Sequence, residues 1–135
     1  MKPTMVTRII GQLVVLREND ATPLDSEWDA FLKILADNWD KFDLLKILVV
    51  TDGGGPNAAQ RKRLETVLNG KPIRVAVVTD SAKSRFIASM ISLINRQHMG
   101  FAMKEVVQAY NHLRMTQAER AAAERALAEL DPLIR

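Results

Sequence analysis

The sequence predicts an α/β fold: a mostly parallel central sheet with an antiparallel N-terminal edge hairpin and helices on both faces. Residues 46–51 and 73–79 are continuous runs rich in β-branched side chains, which is typical of strands covered on both faces. Helical patterns separate the strands, so the predicted element order is β-β-α-β-α-β-α-β-α-α. Strands that alternate with helices favour parallel pairing, because each helix returns the chain to the same end of the sheet.

The first predicted elements are a hairpin and an amphipathic helix. Residues 6–16 form two short apolar segments that meet at Gly11, a pattern typical of an antiparallel hairpin. Thr22, Pro23 and Asp25 are residue types that begin a helix, with Thr22 predicted as its N-cap. The helix then carries one apolar stripe, which we interpret as core: Trp28, Phe31, Leu32, Leu35 and Trp39.

Two further helices are predicted in the middle of the chain. A glycine-rich loop, residues 52–57, leads into a helix that ends at Asn69. Asp80 and Ser81 begin the next helix, and Asp80 is predicted to be its capping side chain. This helix is expected to run to about Asn95, and it is more apolar than one contact with the sheet requires.

The C-terminal part of the chain is predicted to add a strand and two helices. Residues 100–104 have the pattern of a short strand, and residues 105–113 that of a short helix. Thr116 and Glu119 form a capping box for an extra Ala-rich helix over about 116–130. Two roles remain open for this helix: thin packing at the edge of the domain, or a contribution to a homodimer.

The composition indicates one ordinary globular domain over residues 1–135. The chain is 47% hydrophobic and 26% charged, and it contains no cysteine, which excludes disulfides, cysteine nucleophiles and thiolate metal sites. Uninterrupted apolar runs reach only about five residues, so no membrane span is expected. The N-terminus lacks the residue order of a secretory signal, and we therefore expect a soluble, cytoplasmic protein.

Charge is unevenly distributed, although the formal net charge is only +3. Segment 19–43 has seven acids and two lysines, whereas segment 56–85 has seven bases and two acids. Such asymmetry favours an oppositely charged partner or a second copy of the chain, and two solvated helix faces are the alternative. Nucleic acid is not an expected partner, because the seven aromatic residues are not interleaved with basic ones.

One short sequence occurs twice, at the ends of the two core strands. Residues 49–52 and 77–80 both read Val-Val-Thr-Asp, and each is followed by a turn and a helix with basic residues near its start. Because the carboxyl ends of parallel strands lie at the same edge of a sheet, Asp52 and Asp80 are expected to lie together.

Three uses of this edge are open. Gly53, Gly54 and Gly55 could let backbone N–H groups approach a phosphate, although no Walker or dinucleotide spacing is present. Asp52 and Asp80 could share a divalent cation, although an Asp after a strand is commonly a helix cap. The edge could instead be a recognition surface for another protein.

No catalytic set is visible in the sequence. The two histidines, His98 and His112, are predicted to lie at the surface, and neither has the spacing of a catalytic triad or a metal-ligand pair. We therefore expect no enzymatic activity and no cofactor.

These features resemble the anti-sigma-factor-antagonist (STAS) superfamily, including relatives that share their fold with CRAL-TRIO-type lipid-binding domains. The resemblance covers the edge hairpin, the Trp-containing helix, the units 47–68 and 74–94, and Phe101-Ala102 before the terminal helix. In the antagonists, an Asp-Ser pair after the central strand is phosphorylated on Ser to switch binding to an anti-sigma kinase. Here Gly53 follows Asp52, so the resemblance implies docking without that switch, and Ser81 is a weaker candidate for phosphorylation.

The expected function is therefore a non-enzymatic regulatory module that binds a protein, such as a regulatory kinase or anti-sigma-like factor. The alternative is a domain that binds a small lipidic or anionic ligand, at the same edge or along the apolar helix of residues 86–94. The candidate binding residues for either are Asp52, Gly53, Gly54, Gly55, Asn57, Arg61, Asp80, Ser81, Lys83 and Arg85.

Overall fold

The computed structural model describes residues 2–135, so Met1 of the predicted domain lies outside the described residues. Within that range the sheet has five strands in the order β1-β2-β3-β4-β5. Strands β1 and β2 pair antiparallel, and every other neighbouring pair is parallel. The predicted fold class is confirmed. The strands are β1 (Met5–Ile10), β2 (Leu13–Glu18), β3 (Lys46–Thr51), β4 (Arg74–Val78) and β5 (His98–Phe101).

The helices divide between the two faces of the sheet. They are α1 (Asp25–Asp37), α2 (Ala58–Leu68), α3 (Ala82–Ile91), α4 (Val106–His112) and α5 (Gln117–Leu130), with 3-10 turns at Trp39–Lys41, Met103–Glu105 and Asp131–Ile134. Helices α1, α2 and α3 each connect sequential parallel strands and lie on one face, where their apolar side chains form one core. Crossovers of one hand between neighbouring strands place their helices on the same face. Helices α4 and α5 cover the other face with a second core. None of the helices in residues 2–135 has the length and apolarity needed to cross a bilayer.

The start of α1 differs from the prediction. The helix begins at Asp25, with Leu24 at the N-cap, and Thr22 does not cap it. The Leu24 N–H donates to the Glu27 carboxylate at 2.9 Å. The carbonyl oxygen of Pro23 accepts from the Gln60 side-chain amide of α2 at 2.8 Å. Pro23 therefore belongs to a loop that is held against α2. Capping rules consider only residues close together in the sequence, so they do not detect this contact.

The region around β5 is also displaced from the prediction. Helix α3 ends at Ile91, and a tight turn follows in which the Asn95 N–H donates to the Ile91 carbonyl at 2.9 Å. The Asn95 side chain donates to the Ile73 carbonyl at 2.8 Å and accepts from the Ile73 N–H at 3.1 Å. Strand β5 begins at His98, two residues before the predicted start. The side chain of Asn95 thus holds the start of β4 beside the turn that leads into β5.

Helix α5 covers the N-terminal edge of the sheet. Ala123, Ala126 and Leu130 are buried, and the helix packs against β1 and β2. Alanine side chains allow a helix backbone to approach a sheet closely, so few large residues are needed to bury this face. Because β1 is the edge strand, this position agrees with the predicted packing at the edge of the domain, and a role in a dimer stays a prediction.

Candidate functional site

A groove of about 390 Å³ lies at the carboxyl edge of the sheet. Both Asp52 and Asp80 line it, so the prediction that the two acidic strand ends lie together is confirmed. The parallel register that pairs Val50 with Val78 brings these ends level. We call it the carboxyl-edge groove; its lining is Arg17, Val50, Thr51, Asp52, Thr79, Asp80, Ser81 and Met103.

The carboxylate of Asp52 is held in a cluster of charged side chains. Arg17 Nη2 lies 2.8 Å from one of its oxygens, and Arg135 Nη1 lies 2.8 Å from the other. Asp131 joins the cluster through both arginines, at 2.9 Å each. Hydrogen bonds from Arg135 and Arg17 hold the pKa of Asp131 below its ordinary value. Two arginines and two aspartates balance in charge, so the cluster is a structural link between the C-terminal turn and the sheet.

This arrangement does not suit the metal-site alternative. Both oxygens of Asp52 are engaged with guanidinium groups, and the Asp80 carboxylate accepts the Met103 N–H at 3.0 Å. Within residues 2–135 no group of three or more His, Asp or Glu side chains is placed to hold a metal ion. The two carboxylates share a groove without converging on one point.

The glycine-rich loop is explained by close packing rather than by a phosphate. The Gly53 N–H donates to Thr51 Oγ1 at 3.2 Å, and the Gly54 N–H donates to the Asn19 carbonyl at 2.9 Å. A Cβ on Gly54 would lie 2.2 Å from the carbonyl oxygen of Ala21, which only glycine avoids. Because two of the three glycine amides are already bonded within the protein, the anion-cradle interpretation loses most of the donors on which it depended.

Two predicted site residues serve as helix caps. Ser81 Oγ accepts from the Ser84 N–H at 3.2 Å at the start of α3, so Ser81, and not Asp80, is the cap. Asn57 Oδ1 accepts from the Gln60 N–H at 2.8 Å, and the Gln60 side chain accepts the Asn57 N–H at 3.0 Å. These contacts give Asn57 and Ser81 a structural role that is independent of any ligand.

The charge asymmetry of the sequence is partly neutralised within the fold. Arg63 of α2 forms ion pairs with Asp25 and Asp29 of α1, because the two helices pack side by side on one face. Arg61 donates to the carbonyl of Pro56 at 2.8 Å and is half-buried. Much of the basic charge of α2 is therefore not available to a partner.

The basic residues of α3 are different. Lys83 and Arg85 are exposed, and neither forms an ion pair with any residue in the described range 2–135. Arg85 lies beside strand β5: a Cβ on Gly100 would be 3.8 Å from Arg85 Cγ. Lys83, two residues earlier on α3, lies on a different side of the helix. Large apolar side chains are also exposed on α3, on β5 and in the segment that follows β5. We call this the α3–β5 surface; it comprises Lys83, Arg85, Phe86, Met99, Met103 and Val107, of which Phe86 is 64% exposed.

The prediction that both histidines lie at the surface is wrong for His98. Its side chain is buried between the sheet and the helices, and burial, with a smaller contribution from His112, lowers its pKa to about 3. His112 is half-buried and its Nε2 lies 2.8 Å from the Gln97 carbonyl oxygen. Sequence reasoning also missed Glu18, the last residue of β2, whose carboxyl is buried under α1. The predicted strand ended at Leu16, and extending it by two residues would have placed Glu18 on the core face.

No protein-family model, curated protein or solved structure matches this chain. The function is therefore inferred from the fold and from the contacts of the groove and of the α3–β5 surface.

Proposed function

We propose that this protein is a non-enzymatic interaction module, similar in use to the anti-sigma-factor antagonists, that binds an acidic protein surface. Docking occurs through the loops after β3 and β4 and through the α3–β5 surface. The observation that carries this proposal is the combination of unpaired Lys83 and Arg85 with exposed Phe86 and Met103.

Physical chemistry supports this use of the surface. Interfaces between proteins are enriched in aromatic residues, Met and Arg, and complementary charge speeds association with the correct partner. Arg85 and Lys83 already lie in water and lose no internal ion pair when a partner carboxylate approaches. Arg63 would have to break its contacts with α1 to do the same.

The groove itself offers little support for catalysis. Asp52 is held by two arginines, Ser81 caps α3, and the Asp80 carboxylate accepts a backbone N–H. A nucleophile needs an adjacent base, and neither His98 nor His112 lines the groove. These contacts favour a recognition role for the groove over an acid–base role.

Site-specific crosslinking tests the proposal. Phe86 is replaced by a photo-crosslinking phenylalanine analogue, and the same analogue at Glu124, on the exposed side of α5, is the matched control. In an extract of the native cells we expect a discrete adduct from position 86 that is absent from position 124, that weakens with salt and that Arg85→Glu abolishes. Equal adducts from both positions, or an adduct indifferent to Arg85→Glu, would contradict the proposal. An adduct between two copies of the purified protein would show that this surface forms a homodimer and does not bind an acidic partner protein.

A further inference from the structure

The outer edge of strand β5 presents backbone groups that no other strand uses. β5 is the last strand of the sheet, so its ladder bonds run only to β4. The Val75 N–H of β4 donates to the Gln97 carbonyl at 3.1 Å, which fixes the pattern of this parallel ladder. Residues that bond to the neighbouring strand alternate along a strand with residues whose N–H and C=O point away from it. The outward residues of β5 are therefore His98 and Gly100.

Three backbone groups of this edge have no hydrogen-bond partner within residues 2–135. The His98 N–H donates to the Asn95 carbonyl at 3.0 Å, and the Ala102 N–H donates to the Glu105 carboxylate at 2.7 Å, so both ends of the edge are closed. Between them lie the C=O of His98 and the N–H and C=O of Gly100, which is exposed. An exposed strand edge with free N–H and C=O groups is a template for pairing with another extended chain.

The two faces beside this edge differ in chemistry. Gly100 faces α3, since a Cβ there would lie 3.6 Å from Ala88 Cβ and 3.8 Å from Arg85 Cγ. Arg85 is exposed and forms no ion pair in the described part of the chain, so a free cation lies on this face. Met99 points to the opposite face, because neighbouring residues of a strand alternate, and it is 46% exposed. An added strand would therefore meet a positive charge on one face and an apolar side chain on the other.

This charge favours an acidic partner over a second copy of the chain. Two β5 strands paired about a two-fold axis at Gly100 would bring the two copies of Arg85 together, and like charges placed opposite each other destabilise a strand pair. The opposite edge of the sheet lacks a free cation, because Arg8, the one basic residue of β1, is paired with Glu129 at 2.7 Å. Of the two edges, β5 is therefore the one that is charged to attract an acidic chain.

We propose that the α3–β5 surface binds its partner by strand addition, with an extended segment of the partner pairing with β5 as a sixth strand. Side chains of that segment alternate between the two faces, so acidic residues lie towards Arg85 and apolar residues lie towards Met99. Hydrogen bonds to the backbone of Gly100 supply affinity, and the alternation of side chains supplies specificity. This inference rests on the proposed docking function, and it gives the partner's form as an extended acidic segment.

Two peptides of identical composition test the proposal. The probe is acetyl-Glu-Val-Glu-Val-Glu-Val-amide, which alternates, and the control is acetyl-Glu-Glu-Glu-Val-Val-Val-amide, which does not. The chain has six glycines, so ¹⁵N-glycine labelling gives one amide signal for each, and Gly100→Ala identifies the Gly100 signal by its loss. With saturating probe we expect the Gly100 amide to shift and to exchange with solvent about tenfold more slowly or less, while the Gly11 amide in the β1–β2 turn is unchanged. The control peptide should produce neither effect.

Variants of the protein and of the probe separate charge from backbone pairing. Arg85→Glu should weaken probe binding by about fivefold or more, whereas Arg125→Glu, which reverses an exposed and unpaired charge on α5, should not. A probe that is N-methylated at every residue keeps its side chains but loses its N–H donors, and it should not bind.

Several results would overturn strand addition. Equal binding of the two peptides, or probe binding that leaves Gly100 exchange unchanged, would refute it and leave docking at Arg85 intact. A Gly100 amide that is already protected in the free protein would show that a second copy covers this edge. A probe that does not bind would also refute strand addition, and the adduct from position 86 would then decide separately whether a folded acidic surface docks here.

Discussion

The burial of Glu18 makes the stability of this protein depend on pH in an unusual direction. Its pKa is raised from the ordinary value of 4.5 to about 7 in the folded protein, so the folded state holds the proton more tightly than the unfolded state. The contribution of Glu18 to the free energy of unfolding is therefore largest below about pH 4.5 and is lost as pH rises through 7. At about 1.4 kcal/mol per pKa unit, the total loss is about 3 kcal/mol, of which roughly 2 to 3 kcal/mol falls between pH 5 and pH 8.

Urea denaturation of the unmodified protein and of Glu18→Gln at pH 5 and pH 8 measures this loss. The uncharged amide in Glu18→Gln lacks hydrogen-bond partners at every pH, so it lowers the free energy of unfolding by the same amount throughout. The two proteins are therefore compared by how much their free energy of unfolding changes between the two pH values. We expect the unmodified protein to lose roughly 2 to 3 kcal/mol more than Glu18→Gln over that interval. Asp20→Asn is the control and should follow the unmodified protein. Parallel pH profiles for Glu18→Gln and the unmodified protein would show that the carboxyl is not desolvated as described.

Three further predictions concern stability. Gly54→Ala should lower the free energy of unfolding by about 3 kcal/mol or more in chemical denaturation, since its Cβ would lie 2.2 Å from the Ala21 carbonyl oxygen. Gly11→Ala is the control: Gly11 has a φ of 60° and nothing within 4 Å of a Cβ, so the loss should be only about 1 kcal/mol. The unmodified protein should lose about 2 kcal/mol of its free energy of unfolding as pH falls from 6.5 to 5, because the buried imidazole of His98 resists protonation in the folded state. His98→Gln should not show this loss, and equal acid sensitivity of the two proteins would count against the prediction. Arg17→Met should lower the free energy of unfolding by about 2–3 kcal/mol, because two carboxylates lose a partner that is only 7% exposed; an unchanged urea midpoint would refute it.

Most of the features that sequence reasoning predicted correctly are set by neighbouring residues. The β-branched runs became β3 and β4, and Gly11 forms the hairpin turn. The capping box of α5 is present as predicted: Thr116 Oγ1 accepts from the Glu119 N–H at 3.1 Å, and the Glu119 carboxylate accepts the Thr116 N–H at 2.9 Å. All of these interactions lie within a few residues, so the local sequence determines them.

The features that sequence reasoning missed depend on residues far apart in the chain. Asp52 was identified as a candidate, but its partner Arg135 lies 83 residues away, and no spacing rule connects them. Gly54 was interpreted through its permissive backbone, whereas the structure requires glycine because Ala21 approaches it. His98 was assigned to the surface, yet the covering helix α3 buries it. Candidate site residues could be located from sequence, but their partners could not.

The order of the strands bears on how the chain folds. Each strand lies beside the strand formed just before it, so the sheet grows in one direction as a spiral and no later strand has to insert between two earlier ones. Contacts between nearby parts of a chain form with a small loss of entropy and favour rapid folding. The pairing of Arg135 with Asp52 is different, since it connects the end of the spiral to its middle. That contact can form only after the last helix has reached the sheet, so it should be among the last to appear during folding and the first to be lost when the protein opens.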